Sequence, residues 1–254
     1  MLAIVVCVLL VGLMVLGIPV GASMGLVSMG TFAFLGQGDF LTVMAQRIYI
    51  GTTSFTMLAI PFFILAGNLM NTGGITDRIF GFAKTCCGHW PGGLGQVNII
   101  SSVIFSGMSG AAVADAAGLG AIEMKAMDDA GFDSEFSAGI TAASSTIGPV
   151  IPPSIPFVVY ASITGVSVGS LFAAGFLPGA LMALAMGISV YLTSKKRGYP
   201  VEPKASAKLR WLSFWKAIPS LMTVVIIIGG IWGGFFTPTE AAVVASFYAC
   251  CWEP

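Results

Sequence analysis

The apolar part of the chain is interrupted at residues 142–156, which read AASSTIGPVIPPSIP. Four prolines and one glycine fall between Gly148 and Pro156. Each proline removes a backbone donor and clashes with the preceding turn, so no continuous α-helix can contain this segment. Apolar sequence continues on both sides, and non-helical backbone at membrane depth has to be buried in protein or line a polar cavity. We therefore expect a discontinuous helix here, and an ordinary loop between two spans is the alternative.

A second unusual segment lies upstream at residues 106–118, which read SGMSGAAVADAAG. Glycine and serine together turn a helix and let other backbone approach closely. The segment contains one acid, Asp115, which in hydrocarbon should face a protein interior, an ion or water. The alternative is that Asp115 lies near a helix end at the membrane surface. The two segments together predict a transporter core, in which a hairpin with a glycine-serine tip precedes a broken helix whose carbonyls and half-helix N-termini can bind ions.

The overall composition is that of a membrane protein. Of 254 residues, 56% are hydrophobic and 9% are charged, whereas an average soluble domain has about 25% charged residues. This balance excludes a soluble globular enzyme. The formal net charge is zero, which leaves no basic face for nucleic acid. One histidine and five cysteines without CxxC spacing cannot form a zinc site.

The uncharged runs predict an all-α polytopic membrane protein with about seven to nine embedded segments, because one span needs roughly 20 apolar residues. The run over residues 1–38 is long enough for two passes, with a turn at residues 17–19. The run over residues 136–194 has to fold back at least once. Residues 39–47 fit either a short interfacial helix or a connecting loop. The alternation typical of a membrane barrel is absent.

The basic residues predict an orientation. Six of the eleven Lys and Arg residues lie in one short loop, which the positive-inside rule places in the cytoplasm. These residues are Lys195, Lys196, Arg197, Lys204, Lys208 and Arg210.

An enzymatic function is not supported by the sequence. Residues 107–110 read GMSG, which fits the G-x-S-G motif of rhomboid-type intramembrane proteases. That chemistry needs a base within hydrogen-bond reach of the serine. The single histidine, His89, precedes the serine, whereas the rhomboid histidine lies on a later helix. A GxxxxGK[ST] phosphate loop is also absent, so the energy for transport would come from an ion gradient or a partner.

The chain resembles the large membrane subunit of TRAP (tripartite ATP-independent periplasmic) transporters of the DctM type. The resembling stretches follow the family order and cover nearly the whole chain. They are residues 59–70 (AIPFFILAGNLM), 88–95 (GHWPGGLG), 108–129, 142–156 and 236–242 (FTPTEAA).

The resemblance implies a sodium-driven secondary transporter of the bacterial inner membrane, without an organic cofactor. Such subunits work with a small four-helix membrane subunit and a periplasmic substrate-binding protein. Their typical substrates are organic acids, such as C4-dicarboxylates or sialic acids. The implied fold is an elevator, in which a transport domain with helical hairpins and broken helices moves against a scaffold, and its two halves form an inverted repeat.

Individual site residues are carried over from the same resemblance. Ser109 and Gly110 match the tip of the first hairpin, and Asp115 matches the acidic position that follows it. The broken helix holds a sodium ion through backbone carbonyls in the family, and its neighbouring hydroxyls could add ligands. The matching residues in this chain are Gly148, Ile151 and Pro153, with Ser145 and Thr146 just before them, so the candidate sodium site consists of Ser109, Gly148, Ile151 and Pro153.

The resemblance also predicts a domain organisation. Scaffold helices occupy residues 1–94, half of the transport domain occupies 95–194, the basic cytoplasmic loop occupies 195–211, and a second repeat starts at 212–254. The family's large subunit is longer, so we expect the sequence to be truncated near residue 250. A channel or facilitator that needs no binding protein, and an inactive truncated membrane partner, are the alternative functions.

Overall fold

The computed structural model describes the backbone of residues 2–252 and the side chains of residues 2–251. This range contains α-helices, one 3-10 turn and no strand, which confirms the all-α prediction for the described residues. The chain divides into two compact units, with the boundary between Ser54 and Phe55. The four-part functional division predicted from the sequence stays a prediction.

The first unit contains α1 (Leu2–Val15), α2 (Val20–Phe34) and α3 (Asp39–Thr52). Helices α1 and α2 pack together, and the predicted turn between them is present, with Gly17 at φ 83°. Residues 39–47, for which helix and loop were both open, belong to helix α3. Neither α1 nor α3 has a buried residue, so the unit offers mainly apolar side chains to its surroundings.

The second unit contains the hairpin, the broken helix and the two longest helices. After a 3-10 turn at Phe55–Leu58, its helices are α4 (Ala59–Thr72), α5 (Ile75–Cys87), α6 (Gly93–Ser109), α7 (Ala112–Ala117), α8 (Leu119–Asp129), α9 (Ser134–Ser145), α10 (Ile155–Thr164), α11 (Val168–Arg197), α12 (Ala207–Trp232) and α13 (Pro238–Trp252).

Three helical segments in the described range are long and apolar enough to cross a bilayer, namely Phe55–Thr72, Val168–Arg197 and Ala207–Trp232. The apolar helix Ile155–Thr164 is shorter, because the prolines before it end one helix and start another. Residues 136–194 are divided among α9, α10 and α11, and α11 packs on both α9 and α10, in agreement with the predicted fold-back.

Helix α6 lies at the centre of the second unit. Most of its residues are buried, and it packs against α4, α5, α8, α9, α11 and α12. Small residues allow these close approaches: a Cβ on Gly95 would lie 2.9 Å from a methyl of Val190, and one on Gly107 would lie 3.0 Å from a methyl of Val224. Helix α6 therefore forms the inner wall on which the candidate site is built.

Helix α13 packs along α4 and begins with a capping box. The backbone N–H of Thr237 donates to Glu240 Oε2 at 2.7 Å, and the Glu240 N–H donates to Thr237 Oγ1 at 3.3 Å. This reciprocal pair satisfies two donors of the first helical turn. Further along, Ser246 Oγ donates to the Phe62 carbonyl at 2.8 Å. The two ends of the second unit's sequence are thereby joined.

The loop after α11 is held at the start of α9. The Tyr199 ring lies 4.5 Å from the Phe132 ring, centroid to centroid. The Tyr199 hydroxyl and Arg197 Nη1 donate to Asp133 Oδ2 at 2.5 and 2.7 Å. These two donors stabilise the carboxylate and lower the pKa of Asp133 below its usual value. The exposed cluster ties the beginning of the basic loop to the base of α9.

Candidate functional site

The hairpin predicted at residues 106–118 has its tip at Gly110. Helix α6 ends at Ser109, Gly110 adopts a left-handed conformation with φ 61°, and Ala111 is extended before α7 begins. Only glycine adopts φ near +60° routinely, because a Cβ would approach the following carbonyl oxygen. Helices α7 and α8 then pack back against α6. Local glycine chemistry therefore places the turn where the sequence indicated it.

The helix predicted to break does so between α9 and α10. Residues 146–154 are not helical, and the carbonyl of Pro149 accepts a hydrogen bond from Ser154 Oγ at 2.5 Å. The same Ser154 hydroxyl accepts from the Phe157 N–H at 3.3 Å and caps α10, with Pro156 in the first turn. Most of the segment between the helices is buried. It is therefore a buried interruption of a helix and not an exposed loop.

The hairpin tip lies directly on this break. The Gly110 carbonyl accepts a hydrogen bond from the Ile155 N–H at 3.3 Å. A Cβ on Gly110 would clash with the Pro153 carbonyl oxygen. A Cβ on Gly148 would lie 3.5 Å from the Ala111 carbonyl oxygen. The structure thus brings Gly110 of the tip against Pro153 of the break and Gly148 of the break against Ala111, and it is the Gly110 contact that excludes a Cβ.

Four oxygens of the hairpin tip and of the break have no hydrogen-bond partner among the described residues. Ser109 is buried, and its hydroxyl has no hydrogen-bond partner among the described residues. The carbonyls of Gly148, Ile151 and Pro153 likewise accept no hydrogen bond from the described part of the chain. Buried polar groups are normally satisfied by protein, water or a ligand. Unused oxygens are the ligands that hard cations prefer (by extension from magnesium and calcium).

The other predicted hydroxyls are placed differently. Ser145 is buried and donates to the Thr141 carbonyl at 2.8 Å. Thr146 is exposed and donates to the Ala143 carbonyl at 2.6 Å. Both hydroxyls therefore bond to the preceding turn of α9, and Thr146 is not brought to the contact between the tip and the break. The side chain of Ile151 packs against Gly179 of α11, so only its carbonyl is available as a ligand.

Asp115 lies in α7, just after the tip, and is 1% exposed. The hydroxyls of Ser102 and Ser145 are its neighbouring polar groups. However, Ser102 Oγ donates to Ser144 Oγ at 3.2 Å and Ser145 donates to a backbone carbonyl. Neither carboxylate oxygen of Asp115 has a hydrogen-bond partner within residues 2–252. The acid thus faces a protein interior, as expected, and is not at an exposed helix end.

Sequence reasoning missed a buried polar column between α6 and α9. Asn98 Nδ2 donates to Thr141 Oγ1 at 2.8 Å, and Ser144 Oγ donates to Asn98 Oδ1 at 2.6 Å. Ser102 continues the column through its bond to Ser144. The sequence does contain a signal for this column. Asn98 and Ser102 are four residues apart, and Thr141 and Ser144 are three apart, so each pair shares one face of an uncharged helical segment.

Glu123 of α8 was missed as well. It is 1% exposed, and its Oε1 atom has no hydrogen-bond partner among the residues described. Leu119, Glu123 and Met127 are all buried on one face of α8. A carboxylate at helical spacing within an apolar stripe was the available signal. It was hidden because the surrounding stretch, EMKAMDD, has the charge density of a solvated surface.

Comparisons with known proteins agree over almost the full chain. Residues 6–252 match the family described as "Tripartite ATP-independent periplasmic transporter, DctM component". The sialic acid TRAP transporter large permease protein SiaM of Vibrio cholerae is 50% identical over 238 residues, which are 94% of this chain and 56% of that protein.

Two further relatives give the same result. The sialic acid TRAP transporter permease protein SiaT of Haemophilus influenzae is 48% identical over 237 residues, which are 93% of this chain and 38% of that protein. The C4-dicarboxylate TRAP transporter large permease protein DctM of Rhodobacter capsulatus is 38% identical over 261 residues, covering 97% of this chain and 59% of that protein. The chain therefore spans about half the length of the curated relatives it matches.

These matches confirm the resemblance and the prediction that the chain is not an enzyme. The family and the relatives are transporter permeases and not enzymes, so residues 107–110 are a hairpin tip and not a protease motif. The apolar helices agree with a multi-pass membrane protein. With 247 of its 254 residues matched (6–252), the chain belongs to the family of DctM components of tripartite ATP-independent periplasmic transporters.

Proposed function

We propose that the chain forms the first of two inverted repeats of an elevator-type large permease subunit, which takes up an organic acid by sodium symport across a bacterial inner membrane. In this proposal, residues 95–194 form half of the moving transport domain and residues 1–94 belong to the scaffold. The basic loop at 195–211 faces the cytoplasm, and residues 212–254 begin the second repeat.

One observation carries the sodium coupling. The Ser109 hydroxyl at the hairpin tip and the carbonyls of Gly148, Ile151 and Pro153 in the break have no hydrogen-bond partner among the described residues, and the tip packs on the break through Gly110. Sodium is a hard cation, and all-oxygen ligation suits it (by extension from the hard cations). In elevator and other secondary transporters, interrupted helices supply such carbonyls near the middle of the membrane. The fit supports a sodium ion as the coupling ion, bound where tip and break meet.

We propose a carboxylate as the transported substrate. Relatives at 48–50% identity are named as sialic acid transporters, and one at 38% is named as a C4-dicarboxylate transporter. A sialic-acid-like carboxylate is therefore our first choice and a C4-dicarboxylate our second. The partners would be a small four-helix membrane subunit and a periplasmic binding protein that delivers the substrate.

Uptake into proteoliposomes tests the proposed function. The large subunit that contains this chain would be reconstituted with its small subunit, and labelled sialic acid or succinate would be added with the cognate binding protein. We expect the labelled substrate to accumulate above its external concentration only when an inward sodium gradient and the binding protein are both present. Replacing sodium by choline at constant ionic strength, and omitting the binding protein, are the controls.

Two other outcomes would support the alternative functions. Equilibration of substrate without sodium and without binding protein would identify a facilitator. No flux in any condition, from a correctly folded complex, would indicate a membrane partner without transport activity. Either result would contradict the proposed symport.

A further inference from the structure

Glu123 is a buried carboxylate, and the candidate ion site at the hairpin tip does not offset the cost of burying its charge. Its side chain is 1% exposed, and Oε1 accepts no hydrogen bond in the described part of the chain. Its neighbours on the same face of α8, Leu119 and Met127, are apolar and fully buried. An ionised carboxylate in such surroundings is very costly unless it is paired.

A second unpaired acid lies close by. Asp115 is also 1% exposed, with both carboxylate oxygens unpartnered among the described residues. Helix α7, which contains Asp115, and helix α8, which contains Glu123, pack on each other, and both pack on α6 and α9. Glycines between the two acids allow close packing there: a Cβ on Gly118 would lie 2.9 Å from the Asn71 amide, and one on Gly120 would lie 2.7 Å from the Thr141 methyl.

Within the described range, no Lys or Arg side chain forms an ion pair with either acid. The two ion pairs found in the described residues, Lys84–Glu202 and Arg197–Asp133, involve neither Asp115 nor Glu123. Lys125, on the same helix as Glu123, is exposed and lies on another face. The groups beside Asp115 are the hydroxyls of Ser102 and Ser145. The described residues thus offer two carboxylates and two hydroxyls, which are hard oxygen ligands, and no ion pair that would neutralise the acids.

We propose that Asp115 and Glu123, with the Ser102 and Ser145 hydroxyls, form a second binding site for a small monovalent cation inside the hairpin. A bound cation would neutralise the two buried carboxylates and use their unpaired oxygens. The site differs from the tip site in its chemistry, since the tip offers carbonyls and one hydroxyl and this one offers carboxylates. The proposal rests on the sodium coupling proposed above and adds Glu123 as an ion ligand.

Cation binding would be measured on the large subunit that contains this chain, purified with its small subunit in detergent, with sodium as the probe. The thermal unfolding midpoint is followed as NaCl replaces choline chloride at constant total salt, because a ligand that binds the folded state raises the midpoint in a saturable way. We expect Glu123→Gln to shift the half-saturating sodium concentration about tenfold upward. Glu135→Gln, on the exposed first turn of α9, is the matched control and should titrate like the wild type.

Asp115→Asn should give a shift in the same direction, and the double variant should lose little more than either single variant, because both remove the same bound ion. An unchanged sodium titration in Glu123→Gln would overturn the proposal. A more stable Glu123→Gln protein with the wild-type sodium response would also overturn it, because the two acids would then share a proton and bind no cation.

Hydrogen exchange on the wild type covers the case in which Glu123→Gln does not fold. Sodium should slow amide exchange in α8 around residues 119–127 as well as at the tip, and protection confined to the tip would overturn the proposal. Both measurements report binding to the chain and not uptake. A transporter whose uptake is sodium-driven while α8 is unprotected would therefore contradict only this inference.

Discussion

Substituting Gly110 by alanine is expected to destabilise the second unit more than any other single change at the hairpin. Gly110 has φ 61°, and an added Cβ would clash with the carbonyl oxygen of Pro153. The left-handed backbone alone costs an L-residue about 1–2 kcal/mol. The clash adds to this cost, because the atoms that the Cβ would meet belong to the backbone. To accept the Cβ, the tip has to move off the broken helix, which also disperses the four oxygens of the candidate site.

A matched alanine substitution gives the opposite result. Gly139 lies inside α9, where a Cβ would meet nothing within 4 Å. Alanine is favoured over glycine in a helix by about 0.5–1 kcal/mol, so Gly139→Ala should be neutral or stabilising. The free energy of unfolding would be compared by denaturant titration in detergent, followed by tryptophan fluorescence. Equal stabilities for Gly110→Ala and Gly139→Ala would contradict the packing of the tip on the break.

Substituting Asn98 by leucine is expected to have the next largest effect. Leucine has nearly the size of asparagine but removes both hydrogen bonds that join α6 to Thr141 and Ser144 of α9. Leaving buried polar partners unsatisfied costs about 1–3 kcal/mol, with values near the lower end typical inside membranes. We expect the unfolding free energy to fall by that amount, and the sodium response of the hairpin to weaken because α9 carries the break.

The control for this variant is Asn68→Leu, at an exposed position of α4. The same chemical change there removes no buried bond of the polar column, so the stability should stay within about 0.5 kcal/mol of the wild type. Equal losses for the two variants would show that the substitution itself, and not the column, determines the effect.

The features that could be predicted from the sequence are those fixed by local backbone chemistry. The break between α9 and α10 follows from prolines that no helix interior accepts, and the tip follows from a glycine that permits φ 61°. The turn at Gly17 has the same origin. In each case one or two residues determine the conformation whatever surrounds them.

Features that depend on tertiary contact could not be derived in this way. The contact of Gly110 with Pro153 joins segments that are distant in sequence, and no local sequence pattern predicts this contact. Asn98 meets Thr141 across 43 residues. Thr146 precedes the break and has the right chemistry for a ligand, yet the turn of α9 points its hydroxyl to the Ala143 carbonyl on an exposed side. Spacing predicts which residues share a face, but packing determines what that face meets.

Glu123 shows a different limit. Its charged surroundings in sequence suggest a solvated surface, whereas in the fold Lys125, Asp128 and Asp129 are exposed and Glu123 is buried. Because consecutive helical residues point in different directions, a short charged stretch can contain one buried acid. The apolar residues Leu119 and Met127 indicate that Glu123 is buried only once the helix and its register are known.

The tip site is tested most directly by a high-resolution structure of the assembled transporter, determined once in sodium and once in choline. We expect density for an ion between the Ser109 hydroxyl and the carbonyls of Gly148, Ile151 and Pro153 in sodium, and its loss in choline. If that position has the same density in both salts, or if those oxygens bond to protein groups while sodium binds elsewhere, the contact between the hairpin tip and the broken helix is not the coupling-ion site.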